Sequence, residues 1–152
     1  AKPERLAEAK QHLHVPLLVN GDIVDITSAN LAMAASGADG VMIGRGAMGQ
    51  PWIFAELLGR EAPDAAGRFN VIERHLTLLY DFYGEETGVR IARKHIQAYL
   101  QRWRATELAP SFMALTDGCS QHRWLRERRE MLLDNHPTRR ITVGADNNQA
   151  AA

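Results

Sequence analysis

The sequence contains a single cysteine, Cys119, which excludes an internal disulfide and a cysteine-rich metal site. It has no apolar run approaching the roughly 20 residues that cross a bilayer, and no basic-then-apolar signal segment at its start. A cytoplasmic location is the resulting expectation. No G-x-G-x-x-G follows the first apolar run, where a dinucleotide-binding doubly wound sheet usually carries one. There is no initiating Met, and the opening residues already read as helix, so the chain is expected to be a fragment. Net charge is absent too, but only in the sum. Residues 1–89 carry 7 Lys and Arg against 12 Asp and Glu, whereas residues 90–140 carry 11 against 5. The C-terminal half is therefore the candidate for facing a polyanion.

What the chain does have is a β-α-β rhythm in its first 45 residues. Residues 2–13 carry Leu6, Ala9 and Leu13 at helical spacing and run into a turn before Pro16. Residues 16–19 are a continuous apolar run that ends in Asn20-Gly21-Asp22, residue types that favour a tight turn with exposed backbone N–H groups. A helix follows, with Asp25 as N-cap, Ile26, Ala29, Leu31, Met33 and Ala34 as its apolar content, and Gly37 as its stop. Residues 41–43 form a second apolar run, left through Gly44-Arg45-Gly46. Two uninterrupted apolar strands imply a parallel sheet buried on both faces. Both strands end in glycine turns, the arrangement of the phosphate site between the last two strands of a (β/α)₈ barrel. There, backbone N–H groups and the Arg45 guanidinium can converge on one anion.

Beyond Trp52 the character changes. Residues 51–54 read as packing, residues 60–67 as a Gly- and Pro-containing linker, and residues 68–83 as a helix with Val71, Ile72, His75, Leu78, Leu79 and Phe82 on its apolar face. Val89, Ala92, Ile96, Tyr99 and Trp103 form a second such face, and residues 119–135 a third helix with Trp124, Leu125, Met131 and Leu132 directed inward. Together these predict a small helical bundle. Arg90, Lys94, Gln97, Gln101 and Arg104 form a polar stripe opposite the second face, and Arg123, Arg126, Arg128 and Arg129 add a further basic helix. Such a surface suits phosphate and shape contacts with RNA more than base readout, because few aromatic residues lie outside the expected core. Cys119 reads as a small packed residue, and His14, His75 and His136 have no metal-ligand spacing and no evident partner. Residues 136–152 are polar and are expected to be disordered.

VNGDI at residues 19–23 and ADGVMIGRGAMGQPWIF at residues 38–54 resemble the last two barrel strands of the bacterial tRNA-dihydrouridine synthases. GVRIARKHIQAYL at residues 88–100 resembles the helical domain of that family, most closely its B type. The resemblance covers roughly residues 6–103. It implies an α/β plus all-α architecture: residues 1–59 as the last two βα units of a TIM (β/α)₈ barrel, then the linker, then residues 68–135 as a helical tRNA-binding domain. It further implies FMN as cofactor, NADPH as reductant and tRNA as partner, with a uridine of the tRNA reduced to dihydrouridine. Asn20, Gly21, Asp22, Gly44 and Arg45 would hold the phosphate and ribityl side of the flavin. Arg90, Lys94, Arg104, Arg126 and Arg129 are the expected RNA contacts. No catalytic residue and no metal ligand is assigned, because the family's proton-donating cysteine lies on an earlier strand and Cys119 lacks its surrounding motif; the fragment is expected to be inactive. Two strands cannot close a barrel, so self-association through unpaired strand edges is a further expectation. The rival readings are a non-catalytic RNA-binding helical module and another FMN or sugar-phosphate barrel enzyme.

Overall fold

In the N-terminal part, helix α1 (Glu4–Gln11) leads into strand β1 (Leu18–Asn20), helix α2 (Ile26–Ser36) and strand β2 (Gly40–Met42). The computed structural model describes residues 4–135. β1 and β2 pair in parallel, with Leu18 opposite Gly40, Val19 opposite Val41 and Asn20 opposite Met42. α2 makes the crossover, and its ends follow local chemistry. The Asp25 carboxylate accepts from the Ser28 amide at 2.7 Å, and the Ser28 hydroxyl accepts from the Asp25 amide at 3.1 Å, a reciprocal cap that holds the Asp25 carboxyl below its ordinary range. Gly37 ends the helix at φ 62°, a left-handed conformation that glycine adopts without penalty.

Val19, Ile23, Ala29, Ala32 and Ala38 form the core of this part, with Leu6, Leu17, Met33, Val41, Ile43 and Leu57 packed around them. The core covers one face of the sheet only. Leu18 and Met42, which point to the other face, are 58% and 56% exposed, so the expected two-sided burial is not found. The reason is alternation: in a two-stranded sheet α2 can cover Val19 and Val41 but not their neighbours along each strand. Ile26 and Leu31 also face outward, because the small residues Ala29 and Ala32 occupy the side of α2 that meets the sheet. After a 3₁₀ turn at Arg45–Ala47, the short helix α3 (Ile53–Leu57) follows. Trp52 and Ile53 are buried while Phe54 is half exposed.

The second compact unit begins at Pro63, and all its described elements are helical. Its first helix, α4 (Ala65–Tyr83), starts three residues before the expected Arg68, because Asp64 caps it by accepting from the Gly67 amide at 2.7 Å. Gly84 alone separates α4 from α5 (Glu85–Arg102). The two helices pack antiparallel, since Gly88 meets Leu79 and Tyr80, His95 and Tyr99 meet His75, and Trp103 meets Phe69. The Gly88 position is a close approach: a Cβ there would lie 2.8 Å from the Leu79 carbonyl oxygen. Every member of the expected α5 face is buried. On α4 the face is rotated from expectation: Phe69, Ile72, Leu76 and Leu79 are buried, whereas Leu78 and Phe82 are exposed.

A 3₁₀ turn (Thr106–Leu108), α6 (Ala109–Met113), α7 (Gly118–Glu127) and α8 (Arg129–Asn135) complete the unit. The expected continuous helix from Cys119 is thus two helices broken at Arg128, whose guanidinium lies 4.6 Å from the centre of the Trp124 ring and reaches the Trp124 carbonyl. Met131, expected inside, is 42% exposed, and Cys119 is exposed in the first turn of α7. Buried Gln121 ties three helices together, accepting from Tyr80 Oη at 2.7 Å and donating to the Val89 carbonyl at 3.2 Å. His75 does have partners: Tyr99 Oη at 3.1 Å and the His95 ring at 4.6 Å. His136 and the tail expectation lie outside the described residues.

Burial, and then the neighbouring His95, push the His75 pKa down; burial and then Lys94 do the same for His95. Burial raises Tyr99 to about 12, so it stays a neutral hydroxyl beside the imidazole. A base whose pKa is depressed on folding binds fewer protons folded than unfolded, so stability rises with pH in that window. The contribution is complete above the ordinary value of 6.5 and is lost as pH falls toward the folded-state values. The helical unit should therefore melt at a lower temperature at pH 5 than at pH 7.5. His75→Leu with His95→Leu should flatten that dependence, and an equally steep Tm profile in the double variant would show that the pair is not its source.

Candidate cofactor-phosphate site and nucleic-acid interface

The first candidate site lies at the C-terminal ends of β1 and β2. Hydrogen-bonded pairing stops at Asn20 and Met42, and the chain beyond each strand turns outward into Gly21-Asp22 and Gly44-Arg45. Gly21 sits at φ 135° and Asp22 at φ 52°, a turn in which an N–H can point away from the sheet. At Gly44 a Cβ would meet nothing within 4 Å, so this corner is open. Ala47 donates back to Gly44 and Met48 to Arg45, both at 3.1 Å, closing the 3₁₀ turn. Among the described residues no backbone carbonyl accepts from the amides of Gly44, Arg45 or Gly46. They are the leading amides of that turn, where donors are left over.

Arg45 and Asp22 are both highly exposed and approach to 3.5 Å across the two turns. So long and exposed an ion pair contributes little and can be exchanged for a better anion. The Asp22 carboxylate accepts hydrogen bonds and repels phosphate, which suits it to hydroxyl groups beside the anion rather than to the anion itself. Asn20 is exposed at the last position of β1. The open glycine corner, the spare amides and the loosely paired guanidinium fit a phosphate monoester carrying a polyol chain.

Two residues of this site went unassigned in the sequence. A Cβ on Gly46 would lie 1.9 Å from the Ile23 carbonyl oxygen, so this glycine is required by contact between the two turns. Gln50 Nε2 donates to the Val24 carbonyl at 2.7 Å and to the Gly46 carbonyl at 2.8 Å. The G-R-G spacing hinted at Gly46; no local pattern signals Gln50.

The second candidate site is on the helical unit. Arg90 and Lys94 are exposed on α5, with Arg90 paired to Glu86 at 3.8 Å. Arg104 does not continue their stripe: α5 ends at Arg102, and Arg104 is exposed in a left-handed conformation at φ 54°. Arg126 is drawn to Glu73 of α4 at 2.8 Å, and Arg129 lies over the Phe69 ring at 5.5 Å while pairing with Glu130 at 3.1 Å. Arg126 also borders a shallow hollow of about 380 Å³ with Cys119, His122, Arg123 and Glu127. The five expected RNA contacts thus divide into Arg90 and Lys94 on a solvent-facing helix, Arg104 in a turn, and Arg126 and Arg129 held against α4. Among the described residues no helix is long and apolar enough to cross a membrane, and no group of three His, Cys, Asp or Glu residues could hold a metal.

A parallel β-α-β pair with meeting glycine turns, followed by an all-helical unit with exposed cations, defines an α/β protein with an additional helical part. Residues 1–133 match the sequence profile described as Dihydrouridine synthase (Dus), and the chain belongs to that family. The tRNA-dihydrouridine synthase B of Shewanella oneidensis is 37% identical over 129 residues, 80% of this chain and 40% of its own length. That of Proteus vulgaris is 36% identical over 129 residues, with the same coverage. The probable tRNA-dihydrouridine synthase of Mycobacterium tuberculosis strain H37Rv is 46% identical over 110 residues, 67% of this chain and 28% of its own. These relatives support a bacterial member of the B type, and the chain spans 40% or less of their lengths.

Proposed function

We propose that this chain belongs to a flavin-dependent tRNA-dihydrouridine synthase, in which its two βα units are the last two of a (β/α)₈ barrel and its helical unit binds tRNA. The observation that carries the proposal is the meeting of two glycine turns at the C-terminal ends of neighbouring parallel strands in a member of the dihydrouridine synthase family. In this reading Gly21, Gly44 and the amides after them approach the FMN phosphate, Arg45 adds a charge-assisted contact, and Asn20 and Asp22 address the ribityl hydroxyls. FMN, when bound, supplies hydride chemistry toward a uracil double bond, with NADPH as the reductant. The chain's own part is to grip and orient. It has no residue assigned to proton delivery, because Cys119 lacks the motif that surrounds the family's proton-donating cysteine, so the 152-residue chain alone is expected to give no turnover.

The phosphate assignment is tested by comparing FMN with riboflavin, which lacks the phosphate, in the polypeptide that carries this chain with its remaining barrel strands. Arg45→Ala should weaken FMN about tenfold or more, as expected for losing one charge-assisted contact, and leave riboflavin unchanged. Equal weakening of both flavins, or of neither, would remove Arg45 from the phosphate site.

For the helical unit, Arg90→Ala with Lys94→Ala should weaken tRNA binding and lower the slope of log affinity against log salt by about 1 for each phosphate contact removed. A filter-binding or fluorescence titration at several salt concentrations reads this directly. An unaltered slope would place the RNA surface elsewhere.

A further inference from the structure

Resting on the flavin-phosphate reading, we infer that Gln50 is a positioning residue that clamps the two glycine turns into one rigid anion-binding corner. The strands are three residues long and their pairing ends at Asn20 and Met42, so the sheet itself does not hold Gly21-Asp22 against Gly44-Arg45. A primary amide carries two N–H donors, and Gln50 spends both: one on Val24, just beyond the first turn, and one on Gly46, inside the second. Gly46 makes the clamp tight, because its missing Cβ lets the Ile23 carbonyl approach the backbone of the second turn.

The side chain is placed for this by the turn that precedes it. Gly49 is buried at φ 74°, and the Gln50 amide donates to the Ala47 carbonyl at 3.1 Å, folding residue 50 back beneath residues 45–47. An anion held by donors from two separate loops needs their spacing kept within roughly 0.5 Å, and a neutral double donor behind them does this without competing for the anion. Glu at this position would set a carboxylate against two carbonyl oxygens, and Asn would be one methylene too short to reach both.

The test uses the polypeptide that carries this chain with its remaining barrel strands, ¹⁵N-labelled, with Gln50→Met, which keeps side-chain volume and removes both donors, and Gln50→Glu. Core amides of Val19 and Val41 report whether each variant keeps its fold. Without ligand, Gln50→Met should broaden the amides of Ile23, Val24 and Gly46 through microsecond-to-millisecond exchange that the wild type lacks. Titrated with inorganic phosphate and then FMN, the wild type should shift Gly21 and Gly44 together with one Kd, and Gln50→Met should bind about tenfold more weakly, the two turns no longer responding as one. Unbroadened turns with unchanged affinity in Gln50→Met would overturn the clamp. A wild type that binds neither phosphate nor FMN would instead sink the flavin-phosphate reading, and the ligand-free broadening alone would decide the clamp, its absence overturning it.

Discussion

Gly46→Ala is expected to dislocate the candidate phosphate site and to weaken FMN or phosphate binding by at least about tenfold. The added methyl would sit 1.9 Å from the Ile23 carbonyl oxygen and 3.3 Å from the Ile43 side chain. A side-chain tip could swing away; a carbonyl can move only if the backbone between β1 and α2 moves with it. That backbone carries Asp22 on one side and the Asp25 cap on the other, so relief of the clash separates the two turns or loosens the start of α2. Overpacking of this kind costs about 1–3 kcal/mol, and more where the obstacle is backbone. The control is two residues away. Gly44→Ala has open space for its methyl, so any loss there comes from its backbone conformation (φ −101°, ψ −106°) and not from a clash, and it should be smaller than that of Gly46→Ala. Urea titrations of the pair, with FMN affinity beside them, separate steric from general effects of losing a glycine. Equal stability of Gly46→Ala and Gly44→Ala would show that the turns do not touch as described.

In the helical unit the largest expected loss comes from Phe69→Ala. Phe69 is fully buried near the start of α4; its ring centre lies 6.4 Å from that of Trp103 at the end of α5, and the Arg129 guanidinium lies 5.5 Å from it on α8. Truncation leaves a cavity at the meeting point of three helices, and such Phe→Ala changes cost about 3–5 kcal/mol. Against a typical domain stability of about 5–15 kcal/mol, this is enough to unfold much of the unit at moderate temperature. Phe82→Ala, on the same helix but 80% exposed, should change stability by about 0.5 kcal/mol or less. Comparable destabilisation by the two would mean that α4 buries the face its sequence pattern first suggests.

That contrast shows how far periodicity reaches. The α5 face was largely legible because Val89, Ala92, Ile96, Tyr99 and Trp103 recur at helical spacing and most residues between them are charged or polar, although buried Leu100 lay outside the expected set. On α4, apolar residues occupy two overlapping faces, and Leu78 and Phe82 compete with Phe69 and Leu76 on equal terms. Packing against α5, through the close approach at Gly88, selects one. The long helix expected from Cys119 is two helices instead: its composition is helical throughout, and no residue pattern marks the break at Arg128, where the side chain turns back onto Trp124.

The sequence by itself determined the β-α-β order, the caps at Asp25 and Gly37, the glycine turns after both strands, and the motifs that identify the family. All of these depend on backbone conformation or on residues close along the chain, where composition and spacing act directly. Only the tertiary structure decided that Gly46 and Ile23 touch, that Gln50 bridges the two turns, and that His75, His95 and Tyr99 meet between α4 and α5. Each joins residues from separate elements, or from both sides of a crossover, and their meeting is set by how those elements pack rather than by any pattern along the chain.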